Sequence, residues 1–175
     1  MKNYFIFFDI PVSPRVDEAG LRKKFLRNSK KYHPDFYTLE SEEKQAEILE
    51  LSTLNNHAYK VLKDFDKRLK HLLELKGTLA DEGQNKLPQD FLMEMMDINE
   101  GIMELQFDRS EEQFFKIKKE IETFEETLQN SIESILSTYD DDSVSEEELL
   151  SLKNYYLKKR YLLRIHKNLS TFAPQ

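Results

Sequence analysis

The chain has 175 residues, which suits one compact domain or two small ones, and only four glycines and five prolines interrupt a composition rich in helix-forming residues. It has no cysteine, which excludes disulfides, thiolate zinc sites and catalytic thiols. The formal net charge of −7 is unevenly spread, because residues 1–76 carry +3 and residues 77–175 carry −10. A basic part followed by an acidic part suggests two modules that face different partners.

An apolar run at residues 4–8 is the only candidate for a targeting segment. It is too short for the core of a signal peptide, and Asp9 and Pro11 end it. No stretch reaches the roughly 20 apolar residues that a membrane-spanning helix needs. An arginine-rich transit segment is also missing. We therefore expect a cytoplasmic protein that does not enter a membrane.

Two helices are predicted in the basic part. Asp17 can cap the first, which runs to about Tyr32, and Pro34 ends it because proline disfavours helical geometry in the preceding residue. The second begins at Ser41, and its apolar residues recur in steps of three and four until Gly77. These residues are Leu51, Leu54, Ala58, Val61, Phe65, Leu69 and Leu72. The spacing predicts one helix of roughly 35 residues, about 50 Å long, which extends beyond its domain as a stalk.

The acidic part is predicted to form a bundle of three helices. Residues 77–88 hold two glycines and a proline and are typical of a linker. A helix follows over residues 89–107, and capping boxes at residues 110–113 and 145–148 begin two more. Short connections favour an antiparallel arrangement. The predicted fold class is therefore all-α.

His33-Pro34-Asp35 lies at the turn between the two helices of the basic part. Taken alone, the tripeptide is typical of an ordinary turn. The preceding helix changes this interpretation, because it holds six cations within ten positions and no acid: Arg22, Lys23, Lys24, Arg27, Lys30 and Lys31. Lys23, Arg27, Lys30 and Lys31 share one face. Like charges on one face repel, so an acidic partner surface explains them better than folding does.

Other interpretations of this region are weaker. A solvated face is the simplest, and basic helices also grip phosphates, but the chain is acidic and no aromatic residues interleave with the cations. A metal site or a catalytic pair lacks a second histidine near His33, and Pro34 separates His33 from Asp35. A calcium loop at Asp140–Asp142 lacks the required spacing and glycine. We expect neither an enzyme nor a bound metal or cofactor.

The helix after residue 89 carries two distinct faces. Its apolar stripe has offsets of 0, 4, 7, 11 and 14 and is expected to be core: Phe91, Met95, Ile98, Ile102 and Leu105. The opposite side carries Met93, Met96, Asp97, Glu100 and Glu104. Methionines turned away from a core suit adaptable protein recognition, and an acidic row adds charge steering. The alternative is that these methionines contact a second helix or the linker.

The sequence Tyr32-His33-Pro34-Asp35 after a basic helix, followed by LNNHAYKVL at residues 54–62, resembles a J-domain. Lys67-Arg68 is similar to the positive end of that family's third core helix, although Phe65-Asp66 stands where the family has a proline near Asp64. The resemblance implies that the tripeptide and the basic helix engage an ATP-driven DnaK-type chaperone. The implied contacts are His33, Pro34, Asp35, Arg22, Lys23, Arg27, Lys30 and Lys31.

The chain as a whole resembles the HscB (Jac-type) co-chaperone family of iron–sulfur cluster assembly. The aromatic-rich opening at residues 3–11, the segment 67–77 and Phe91-Leu92-Met93-Glu94 carry this resemblance. It implies an L-shaped molecule with a J-domain at residues 1–76 and a C-terminal bundle at residues 89–175.

The same resemblance implies two partners, a DnaK/HscA-type chaperone whose ATPase is stimulated and an IscU-type scaffold protein that would hold any cluster. No cofactor of its own is implied. The implied scaffold-binding residues are Leu92, Met93, Met96, Asp97, Glu100, Glu104 and Tyr156, with Tyr155 as the alternative to Tyr156. The choice between a dedicated HscA-type and a housekeeping DnaK partner stays open, as does the oligomeric state. The rival hypotheses are a J-domain co-chaperone with an unrelated client and, more remotely, a nucleic-acid-binding helical protein.

Overall fold

The computed structural model describes residues 2–80 and 83–174. All regular elements in these ranges are helices, which confirms the all-α class. The helices are α1 (Tyr4–Phe7), α2 (Glu18–Lys31), a 3-10 helix (Pro34–Tyr37), α3 (Glu42–Leu62), α4 (Phe65–Leu75), α5 (Gln89–Glu104), α6 (Glu111–Thr138) and α7 (Glu146–Ser170). The chain divides into two compact units, Met1–Lys76 with Tyr139–Ser143, and Gly77–Thr138 with Val144–Gln175. In the described ranges, no helix is both long and apolar enough to cross a membrane.

The first unit is built around α3, which packs against α1, α2 and α4. Leu21 of α2, Ala58 and Leu62 of α3, and Leu69 of α4 are buried in its core. Asn55 adds a polar connection, because its side-chain amide donates to Ser29 Oγ at 3.0 Å and to the Phe25 carbonyl oxygen at 3.3 Å. These contacts fix α2 on α3 and thereby set the direction in which the rest of α2 faces.

The prediction of a single long helix between Ser41 and Gly77 is wrong, because two helices, α3 and α4, occupy this range. The backbone leaves helical geometry at Asp64, whose φ of −99° and ψ of 123° are extended, and α4 begins at the next residue. The Lys67 N–H donates to Asp64 Oδ1 at 3.0 Å, so Asp64 caps α4, and this bond lowers the pKa of the Asp64 carboxyl. The apolar seam continues across the break because α3 and α4 both contribute to the same core.

Arg68 occupies the break and is buried. Its Nε donates to the Pro14 carbonyl oxygen at 2.8 Å, and its Nη1 donates to the Leu62 carbonyl oxygen at the end of α3. Burial lowers the pKa of the Arg68 guanidinium, but an arginine keeps its proton in a protein. Arg68 is therefore a buried residue that connects the Pro14 loop to the end of α3, rather than an exposed charge at the end of a helix.

His71 of α4 holds α1 in place. The Tyr4 N–H donates to His71 Nε2 at 3.2 Å, and the two rings stack with centroids 4.2 Å apart. Only a neutral imidazole nitrogen can accept this bond. Burial accordingly lowers the pKa of His71 below its ordinary value of 6.5.

The second unit is a bundle of α5, α6 and α7. All five residues of the predicted core stripe, four on α5 and Leu105 directly after it, are buried in it, which confirms that prediction. A Cβ added at Gly101 would lie 3.0 Å from Ile117 Cδ1, so the glycine lets α5 approach α6 closely. Asn99 Nδ2 donates to the Tyr161 hydroxyl at 3.2 Å and links α5 to α7.

Two local predictions in this unit need correction. Helix α5 ends at Glu104 rather than at Phe107. The capping box at Ser145 is complete, but at Ser110 only half of the predicted box forms. The Gln113 side chain connects α6 to α5, because its Nε2 donates to Glu104 Oε2 at 2.6 Å.

We predict that Asp64→Ala lowers the free energy of unfolding by about 0.5–2 kcal/mol, the usual cost of losing an N-cap acceptor. Asp64→Asn should cost much less, because its side-chain oxygen can still accept from Lys67 N–H. Urea unfolding followed by circular dichroism measures both variants. Equal losses for Ala and Asn would show that the cap does not stabilise the break.

We also predict that His71 makes unfolding depend on pH. The folded protein binds a proton at His71 less readily than the unfolded chain does, so stability falls as the pH drops below about 6.5, until the pH passes the lowered folded pKa. His71→Gln removes this titration and retains an acceptor for the Tyr4 N–H. The difference in unfolding free energy between wild type and variant should therefore shrink from about pH 7.5 to about pH 5. A difference that stays constant with pH would contradict this role.

Candidate functional site

The tripeptide lies directly after α2, where the chain turns into the 3-10 helix. His33 caps that helix, its Nδ1 accepting from the Asp35 N–H at 3.4 Å, and Pro34 occupies the first helical position. His33 Nδ1 and Asp35 Oδ2 are 3.7 Å apart, and both side chains are largely open to solvent. The geometry presents an imidazole and a carboxylate together on the surface, held by a short rigid turn.

The turn is anchored on both sides. The Tyr37 hydroxyl donates to the Lys31 carbonyl oxygen at 2.9 Å, which closes the chain back onto the end of α2. On the other side, Gln45 Nε2 donates to the Glu40 carbonyl oxygen at 2.8 Å and connects the turn to α3. The Phe36 ring is exposed and lies 5.5 Å from the His33 ring. These contacts preorganise the tripeptide without burying it.

The basic residues of α2 divide into two groups. Lys24 is used within the fold, because its Nζ contacts the Asp9 carbonyl oxygen and lies 3.2 Å from Asp9 Oδ2. The other five are exposed and, among the residues that the structure describes, form no ion pair: Arg22, Lys23, Arg27, Lys30 and Lys31. We call these five the basic face. Leu26, 55% exposed, lies among them on the same helix.

The outer surface of α5 carries both predicted methionines in solvent. Met93 and Met96 are each 60% exposed, and Leu92 is also exposed, so in this structure the bundle's core does not cover them. Asp97, Glu100 and Glu104 are exposed beside them, with Glu104 accepting from Gln113 as described. We call Leu92, Met93, Met96, Asp97, Glu100 and Glu104 the α5 face. It combines an adaptable apolar row with an acidic row.

Met103, which is not among the residues that the sequence predicts for this face, is 59% exposed on the same helix. It lies seven residues after Met96 and therefore two turns further along the same side. Phe107, just beyond the end of α5, is almost fully exposed. The seven-residue spacing was visible in the sequence and could have identified Met103.

Tyr156 does not lie on an exposed surface. It is 6% exposed, and Tyr155 is also buried. The Tyr155 hydroxyl donates to Gln129 Oε1 at 2.7 Å, and Arg160 Nη1 donates to the Tyr156 hydroxyl at 3.4 Å. Tyr156 is therefore covered in this structure, and its contact with a scaffold stays a prediction.

Residues 2–80 and 83–174 contain no group of three or more histidine, aspartate or glutamate side chains placed to hold a metal ion. Both surfaces consist of groups suited to protein contact, namely cations, carboxylates and apolar side chains.

Comparison with known proteins identifies the family. Residues 87–170 match the family model described as the HSCB C-terminal oligomerisation domain. The co-chaperone protein HscB of Buchnera aphidicola is 34% identical over 131 residues, which are 74% of this chain and 72% of that protein. The chain belongs to the HscB family. Its members are co-chaperones rather than enzymes, which confirms the prediction of a non-enzymatic protein.

Other HscB proteins are similar over most of the chain. The co-chaperone HscB homolog of Haemophilus ducreyi is 29% identical over 161 residues, 91% of each protein. The human iron–sulfur cluster co-chaperone protein HscB is 29% identical over 158 residues, 89% of this chain and 64% of the human one. The crystal structure of human HscB superposes with a TM-score of 0.73 at 26% identity, covering 98% of this chain and 82% of that one. The fold is that of HscB proteins.

Proposed function

We propose that this HscB-family protein works in the cytoplasm as a two-partner adaptor of iron–sulfur cluster assembly. The tripeptide and the basic face engage a DnaK/HscA-type chaperone and stimulate its ATPase. The α5 face holds an IscU-type scaffold protein and delivers it to that chaperone. The human relative, which is called an iron–sulfur cluster co-chaperone, supports the choice of pathway.

The proposed chaperone contact is supported by the exposed charges of α2 and of the turn that follows it. Five cations on one helix form no ion pair in the described part of the chain, and they lead directly to an exposed histidine–aspartate pair. Mutual repulsion makes such a row unfavourable in the isolated protein, and an acidic partner relieves it. The rigid turn then presents His33 and Asp35 at a defined place beside the docked helix.

The α5 face supports the second contact. Exposed methionines bring apolar area that water does not favour, and their flexible side chains adapt to a partner's shape. The carboxylates of Asp97, Glu100 and Glu104 steer a basic partner towards that area. A scaffold bound there is held by packing and charge, and the adaptor carries out no covalent step itself.

The two contacts give a simple order of events. The scaffold binds α5 and the chaperone binds α2, so one adaptor raises the local concentration of client near the chaperone. ATP hydrolysis, promoted by the tripeptide, then closes the chaperone on a client that is already present. A different client on the α5 face is the rival, and co-purification separates the two, because an IscU-type scaffold should dominate the recovered proteins.

We predict that His33→Gln abolishes stimulation of the chaperone ATPase and leaves scaffold affinity unchanged, because the tripeptide and α5 lie in different units. A steady-state ATPase assay and a binding titration with the scaffold measure the two effects. His166→Gln, the same substitution in the other unit, is the matched control and should stimulate normally. Full stimulation by His33→Gln would rule out the role of the tripeptide.

We predict the reverse for the double variant Met93→Ser with Met96→Ser. Loss of the two apolar contacts should weaken scaffold binding by about ten-fold or more, whereas ATPase stimulation without scaffold persists. Leu150→Ser changes an exposed apolar residue on α7 and serves as the control. Isothermal titration gives the affinities, and equal affinity for wild type and the double variant would remove the α5 face as the docking surface. Met103→Ser tests whether the contact continues along the helix.

A further inference from the structure

The basic face has an apolar centre. At about 100° per residue, Leu26 lies about 40° from Arg22 on one side and about 40° from Lys30 on the other. Lys23 and Arg27 continue the face beyond Lys30 in the same direction. Leu26 is 55% exposed, so its side chain stands in solvent between cations.

A single exposed leucine is ordinary on a protein surface, and only its surroundings give it meaning. The fold does not require Leu26, because the core contacts of α2 come from its other side, where Leu21 is buried and Phe25 stacks on Tyr59 with ring centroids 4.1 Å apart. An apolar residue ringed by charges has the arrangement of a protein interface, which has a dry centre and a polar rim.

We propose that Leu26 is the apolar anchor of the chaperone contact, and that the partner's surface is an apolar depression rimmed by carboxylates. This inference rests on the proposed function and names the chemistry of its partner. The cations speed the encounter through long-range attraction, whereas Leu26 prolongs the complex by displacing water from the depression. Charge and anchor therefore act on different rate constants.

Leu26→Lys separates this arrangement from a purely electrostatic one. A sixth exposed cation should tighten binding to an acidic surface if charge alone matters. If Leu26 fills an apolar depression, the lysine instead weakens binding by about ten-fold, because a charged group replaces an apolar one in a site without water. The matched control is Leu49→Lys, which adds the same charge at a leucine of α3 that is 59% exposed.

The experiment measures association and dissociation rates of the full-length chain with the ATP-loaded chaperone at two salt concentrations, by surface plasmon resonance. We expect faster dissociation for Leu26→Lys and, more weakly, for Leu26→Ala, whose association rate and salt dependence should match wild type. Leu49→Lys should dissociate like wild type. Equal or tighter binding of Leu26→Lys would overturn the proposal.

Failure of the proposed function gives a different result. In that case, the wild-type chain neither binds the chaperone nor stimulates its ATPase, and His33→Gln behaves like wild type because there is no stimulation to lose. If wild type stimulates, His33→Gln does not, and both Leu26 variants bind like wild type, the proposed function stands and only the anchor is wrong. Circular dichroism melting of each variant shows whether the exposed substitutions leave the fold intact.

Discussion

The first unit depends on one buried guanidinium. Arg68 donates to carbonyl oxygens of Pro14 and Leu62, and thereby joins the loop before α2, the end of α3 and the body of α4 at a single point. A helix end leaves carbonyl groups without partners, and burying them unpaired is costly. At the break, Arg68 donates to the Leu62 carbonyl oxygen, so this group has a partner without a bound water. Arg68 thus holds the loop that leads into α2, while the Asn55 contacts set the direction in which α2 faces.

The two candidate surfaces lie on helices whose opposite sides are packed. On α2, the basic face is exposed, while Asn55 and Tyr59 of α3 hold the other side of the helix through Phe25. On α5, the stripe residues make the core contacts of the helix, and Met93 and Met96 on the opposite face stay exposed. In both helices the inner face fixes the orientation of the helix and leaves the outer face exposed.

Sequence periodicity predicts buried residues well where one helix packs one face against one core. The α5 stripe was recovered residue by residue, because one face of this helix is buried and the opposite face is free. The break at Asp64 was missed, since the apolar seam runs unbroken through α3 and α4 and no proline marks the position. The family resemblance drew attention to the missing proline, yet an N-capping aspartate achieves the same interruption.

Tyr156 illustrates a second limit of sequence reasoning. Helix α7 contacts two neighbours, α5 and α6, and its buried residues spread over a wider arc of the helix than those of α5 do. Local spacing cannot choose between two adjacent tyrosines, and in the structure both are buried. The role of Arg68 was equally hidden, because a basic residue beside Lys67 gives no sign that it will be enclosed by carbonyl groups 54 and 6 residues away.

Lys24 stands apart from the other cations of α2. Its ammonium group holds Asp9, which has a positive φ of 51°, in the chain reversal after α1. A charge-by-charge mutational scan of this helix would therefore mix effects on the proposed chaperone contact with loss of the contact to Asp9. Removal of Lys24 should therefore lower stability as well as charge, whereas removal of any of the five exposed cations should change charge alone.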